Sequence, residues 1–135
     1  MKTILKTLAA AGLVMILVTT AFASDWKMSA DIPFTFNVGD KTLASGKYTI
    51  EVYQNGTVLL RSEENSGTTA MSLSNAAITP RDLKTARLVF NGYGNDFFLS
   101  TLSWPDGPSR MLPPTSIEIK VARGVTGRKL AVASK

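Results

Sequence analysis

The sequence predicts an all-β fold, a small antiparallel β-sandwich or barrel of six to seven short strands. Three observations predict it. Apolar residues recur at every second position through most of the chain after residue 30. Turn-forming pairs such as Gly39-Asp40, Ser45-Gly46 and Asn55-Gly56 interrupt that alternation, at roughly the 8–12-residue spacing of sandwiches and barrels. There is no Cys among the 135 residues, so one hydrophobic core must hold the fold, which a chain of this size can do.

The elements follow in chain order. Ile32, Phe34, Phe36 and Val38 alternate with Asp31, Pro33, Thr35 and Asn37, the pattern of a half-buried strand. Pro33 cannot donate to a ladder and places this strand at an edge or at a strand start. Tyr48, Ile50 and Val52 alternate next. Asn55-Gly56, between two apolar runs, predicts a type I′ hairpin with positive φ at both central residues. A strand over residues 57–63 follows, then a turn at Asn65-Ser66-Gly67. Met71 and Leu73 share one strand face, opposite Ser72 and Ser74. Residues 78–84 contain Pro80 and read as a longer connection. Ala86, Leu88 and Phe90 begin another strand, residues 92–95 turn the chain, and residues 97–104 are apolar on both faces in part, as in a central strand.

The C-terminal part fits two readings. Thr115 with Glu118 matches a capping box and a short helix. Ile117, Ile119 and Val121 match one face of a last strand, which their β-branching favours. Residues 124–135 contain two glycines and no period, and are expected to form a mobile basic tail.

The N-terminus reads as an export signal. Lys2 and Lys6 precede an uncharged, mostly apolar run over residues 8–18, and Ala21-Phe22-Ala23 matches a cleavage site. The expected organisation is a signal peptide over 1–23, a single β domain over 24–123 and the tail. The apolar run is short of the roughly 20 residues of a spanning helix, so no transmembrane segment is expected once the signal is removed. The destination is the periplasm or the extracellular space. Cleavage before Ser24 leaves 13 basic residues against 10 acidic ones. Arg123, Arg128, Lys129 and Lys135 lie at the C-terminal end, so the body is close to neutral and no nucleic-acid partner is expected.

The stretches Ile32-Pro33-Phe34-Thr35-Phe36-Asn37-Val38-Gly39 and Leu43-Ala44-Ser45-Gly46-Lys47-Tyr48 match a pattern of the form P-F-x-F-x-V-G, then L-P-A-G-x-Y. With Leu88-Val89-Phe90-Asn91-Gly92-Tyr93-Gly94 and Phe97-Phe98-Leu99-Ser100, the chain resembles a family of small exported bacterial β-domain proteins to which no activity is assigned. Ala44 departs from the family pattern, which has Pro there. The resemblance implies fold and export only, because its motifs are turn glycines and core aromatics.

The residue inventory excludes much chemistry. There is no His and no Cys, so His- or Cys-based nucleophilic catalysis and ordinary zinc or copper sites are out. Ser24-Asp25-Trp26-Lys27 matches S-x-x-K in letters, but its K-T-G partner is absent. Asn91, Asn95 and Asp96 cluster around two glycines without the spacing of a calcium loop, and a hairpin turn explains them equally well. Gly92-x-Gly94 leads into a strand and lacks the third glycine of a dinucleotide site. No metal and no cofactor are expected. The carboxylates that could serve a glycosidase pair are Glu51, Glu63, Glu64, Asp96 and Asp106; ordinary surface solvation explains them as well.

Aromatic residues are the better candidates. Trp104 stands beside a stiff Pro105-Asp106-Gly107-Pro108 tip, with Arg110 close behind. Trp104, Asp106 and Arg110 form a candidate contact patch, since Trp and Arg dominate binding hot spots. The competing reading makes Trp104 a plug closing the end of the sandwich or barrel. The expected function is a non-enzymatic envelope or extracellular module whose partner is a protein, a polymer or the cell surface. The alternatives are a carrier with a small apolar cavity inside a barrel and a carboxylate-dependent hydrolase.

Overall fold

The computed structural model describes residues 26–65 and 67–135. The expected signal peptide, its cleavage site and Ser24 lie outside the described residues. Within the described residues are eleven strands and one helix. In chain order they are β1 (Trp26–Ile32), β2 (Phe36–Val38), β3 (Lys41–Leu43), β4 (Gly46–Val52), β5 (Thr57–Ser62), β6 (Thr69–Leu73), β7 (Asn75–Ala77), β8 (Arg87–Tyr93), β9 (Asp96–Ser103), β10 (Ser109–Met111), α1 (Ser116–Ala122) and β11 (Arg128–Ala133). Eleven replaces the expected six to seven because β2, β3, β7 and β10 have three residues each, too few to show a period.

The strands form two sheets that do not close into a barrel. One has the order β1-β4-β5-β6, the other β11-β8-β9-β10-β7, with the β2–β3 hairpin joined to β9 through a parallel contact at Asn37 and Phe98. Their inner faces meet in a filled core that includes Phe36, Phe90, Ile50, Leu60, Leu88 and Leu102. Phe36 meets Phe90 and Tyr48 edge to face, with centroids 5.5 and 5.2 Å apart, the arrangement aromatic quadrupoles favour.

The alternation from Ile32 to Val38 is real but serves two sheets. Ile32 ends β1, residues 33–35 carry no strand, and Phe36 opens β2 on the other sheet. Pro33 gives the reason: without an N–H it breaks the ladder at the point where the chain changes layers. The chain returns to the first sheet between β3 and β4 and leaves it again between β6 and β7, which are adjacent in sequence but belong to different sheets.

Three expectations about local structure are corrected. The turn at Asn55-Gly56 is not type I′. Gly56 N–H donates to Tyr53 O at 2.9 Å and Tyr53 N–H to Thr57 O at 3.0 Å; only Gly56 has positive φ, at 85°. This is a three-residue loop with a left-handed glycine at its end, the next commonest hairpin solution. Residues 116–122 are helical rather than extended, because the place beside β8 that a last strand would take is filled by β11. Residues 128–133 are therefore a paired strand, not a tail; Leu130 and Val132 pack against the core.

The chain end also closes one side of the sandwich. Ser134 N–H donates to Ala86 O and Lys135 N–H to Ser29 O, each at 2.8 Å. The Lys135 ammonium pairs with Asp31. That hydrogen bond, helped by the charges of Lys135 and Lys47, holds the Asp31 carboxyl below its ordinary value. Glu63 is lowered too, first by hydrogen bonds from Thr49 and Ser29 and then by Lys47. Folded-state values below unfolded ones mean that this stability is present above the ordinary carboxylate range and is lost as pH falls through the lowered values. Thermal melting between about pH 5 and pH 2 is expected to show a falling midpoint, with a flatter acid limb in D31N/E63Q. Parallel curves for the two proteins would mean that neither contact matters.

Candidate functional site

The β9–β10 tip brings Trp104, Asp106 and Arg110 close in sequence but does not turn them to one surface. Trp104 is 5% exposed and belongs to the core. Its indole N–H donates to Lys27 O at 3.2 Å, and its ring lies 6.0 Å from that of Trp26. The plug reading of Trp104 is the one the geometry matches. Gly107 matters for space, not for φ: a Cβ there would stand 2.8 Å from the Trp26 ring. The positive φ of the tip falls on Asp106, at 52°, which is the exposed member of the three.

Arg110 is engaged inside the fold. Its Nε donates to Ser74 Oγ at 2.8 Å and its Nη2 to Ser74 O at 2.6 Å, while Ser74 Oγ donates to Gly56 O at 2.6 Å. Ser74 is the single residue between β6 and β7. The guanidinium thus clamps the layer change to the β4–β5 hairpin through Ser74, with Nε and Nη2 donating to a hydroxyl and a main-chain oxygen.

Of the candidate carboxylates, Glu51 and Glu63 are engaged, while Glu64, Asp96 and Asp106 are exposed. Glu51 accepts from Tyr53 Oη at 2.8 Å and lies 3.9 Å from Lys27 and 3.7 Å from Arg61. Glu63 accepts from the hydroxyls of Ser29 and Thr49. Asn91, offered as an oxygen ligand, donates its amide to Glu118 and accepts from Lys129 Nζ at 3.2 Å.

The unusual surface is that of α1. It crosses from β10 to β11 over the outer side of β8, where Asn91 and Tyr93 point outward. Thr115 caps it, its Oγ1 accepting from Glu118 N–H at 3.2 Å, as the capping signal predicts. The Glu118 side chain does not complete the box. It turns down onto the sheet, 7% exposed, and accepts from Asn91 Nδ2 at 3.3 Å and Tyr93 Oη at 3.2 Å. Burial, then the nearby Glu118 charge and its hydrogen bond, push the Tyr93 phenol up and keep it a donor.

Burying the carboxylate fixes where the isoleucines go. Successive helical residues are about 100° apart, so Ile117 and Ile119 stand on either flank of Glu118. They are 47% and 49% exposed. Lys120 and Arg123 complete the outward side and, with Ser116 and both isoleucines, line a shallow open cleft of about 340 Å³. Val125 is exposed just beyond the helix, and Lys129 reaches the same side of the sheet through Asn91. An ordinary surface helix buries its apolar stripe and exposes its charges; this one buries its acid and exposes two isoleucines beside cations, with Val121 and Ala122 half-buried. The sequence carries the signals, Thr115-x-x-Glu118 and Ile-Glu-Ile, but the choice of strand or helix hides the face they make. Comparison with protein-family profiles, curated proteins and solved structures returns no match.

Proposed function

We propose that the protein is an exported, non-enzymatic β-sandwich that acts as an interaction module through the outward face of α1. The observation that carries this reading is the inverted helix, with Ile117 and Ile119 half-exposed beside Lys120 and Arg123 while Glu118 is buried. Neighbouring apolar side chains left in water and rimmed by polar residues are a feature of contact sites. The residue inventory supports the non-enzymatic part: there is no His or Cys, and Glu51 and Glu63 are held by cations and hydroxyls. The carrier reading needs a barrel interior, whereas these two sheets stay open and their inner faces meet in a core of buried side chains. The resemblance to small exported β-domain proteins and the signal-like N-terminus support export to the periplasm or beyond.

The test is the distribution of the exported protein between soluble and envelope fractions. The wild-type chain is expected in the envelope fraction, and I117S/I119S is expected to shift most of it to the soluble one. Both proteins should melt within a few degrees of each other, since these side chains are already half in water. Equal distribution of the two proteins would remove α1 as the contact face.

A further inference from the structure

Resting on that reading, we infer that the α1 face docks on an anionic phospholipid bilayer. The first argument is the placement of charge. Residues 26–115 contain eight basic and eight acidic residues and carry no net charge. Residues 116–135 contain five basic residues, Lys120, Arg123, Arg128, Lys129 and Lys135, and one acidic residue, Glu118. Glu118 is turned inward and buried. The charged side chains that the C-terminal segment shows to solvent are therefore all cationic, and among them only Lys135 is paired within the described residues, with Asp31.

The second argument is availability. Among the described residues, the salt bridges are made by Lys27, Lys47, Arg61 and Lys135 with Asp31, Glu51 and Glu63. Lys120, Arg123 and Lys129 are in none of them, and all three are exposed. Phosphate groups would meet these cations without first breaking an ion pair.

The third argument separates a bilayer from a protein partner. Protein interfaces centre on Trp, Tyr and Arg anchors, and their cores are depleted of Lys. The exposed apolar residues of this face are Ile117, Ile119 and Val125, all aliphatic, with Lys120 among them, and Arg123 is the one residue of an anchor type lining the cleft. Branched aliphatic groups suit the boundary between headgroups and acyl chains, and long cationic side chains reach back to the phosphates while their stems stay apolar. With seven residues, α1 is too short to lie in the interface alone. Its anchorage on Asn91 and Tyr93 supplies the rigidity that a longer amphipathic helix would supply by length.

The test uses the protein as recovered from an exporting cell, with its N-terminus read by intact mass. It is mixed with vesicles of phosphatidylcholine alone or with about a third phosphatidylglycerol, and sedimented at about 0.1 M and 1 M salt. Binding is expected only with the anionic vesicles at the lower salt. K120E/R123E should weaken it by more than tenfold and I117S/I119S by several fold. M71S/L73S, which alters exposed apolar residues of β6, should leave it unchanged. Equal binding to neutral vesicles, no binding to either, or wild-type binding by K120E/R123E would overturn the lipid assignment. If vesicles fail while I117S/I119S still releases the protein from the envelope fraction, the bilayer is wrong and the interaction module stands. If neither measurement responds to α1, both readings fall.

Discussion

Trp104→Ala is expected to cost about 3–5 kcal/mol of stability, the range for emptying a buried aromatic site. The side chain is 5% exposed, among the core residues. Two contacts would go together. The indole N–H to Lys27 O bond ties the β9–β10 end of one sheet to β1 of the other. The Trp26 ring, 6.0 Å away, would lose the surface it rests on. The β9–β10 tip itself would keep its closure, because Trp104 N–H to Pro108 O and Gly107 N–H to Trp104 O are main-chain bonds. Denaturant unfolding measures the loss. Vesicle sedimentation of the folded variant should match wild type, because the α1 face is a different surface. A loss below about 1 kcal/mol would mean that this end of the sandwich can rearrange around the gap.

Gly56→Val is expected to cost about 3 kcal/mol, from two separate causes. The first is backbone: φ is 85° at Gly56, a region a β-branched residue resists, at roughly 1–2 kcal/mol or more. The second is space. A Cβ at Gly56 would stand 2.5 Å from Arg110 Nη2 and 3.1 Å from Ser74 O. The guanidinium must leave, and a hydrogen bond from a charged donor is worth about 1.5–3 kcal/mol. The shared cause has a signature in denaturant unfolding. G56V and R110A break the same clamp, so the double variant should lose less than the two single losses added together. Full additivity would show that the Gly56 effect is backbone strain alone.

Gly56 also shows where reading the chain reaches its limit. Asn55-Gly56 marks a hairpin in sequence, and a hairpin is there. Its type, and the fact that Arg110 sits over it, depend on a residue 54 positions further on. The same holds for Trp104. Its neighbours in sequence, a stiff proline tip and an arginine, suggest a contact patch, whereas its neighbours in space, Lys27 and Trp26, come from the other end of the domain. A large apolar side chain at the end of a strand reads the same whether it faces water or a facing sheet.

What the chain determined by itself is what depends on near neighbours. Period-two alternation set the all-β class, because inward and outward sides of a strand differ by one residue. Pro33 marked a strand boundary, Thr115 with Glu118 offered a helix start without choosing it over a strand, and the absence of His and Cys set which chemistry is out of reach. Only the tertiary structure decided the rest. Whether residues 116–122 would be strand or helix turned on β11 taking the place beside β8. Burial of Glu118 turned on Asn91 and Tyr93 of β8 offering two donors to a carboxylate. Once that carboxylate faced the sheet, helical geometry placed Ile117 and Ile119 on its flanks, half in water. Local alternation cannot foresee this, since it assumes that apolar residues turn inward, and here one acid is buried on two hydrogen bonds while two isoleucines stand half in water.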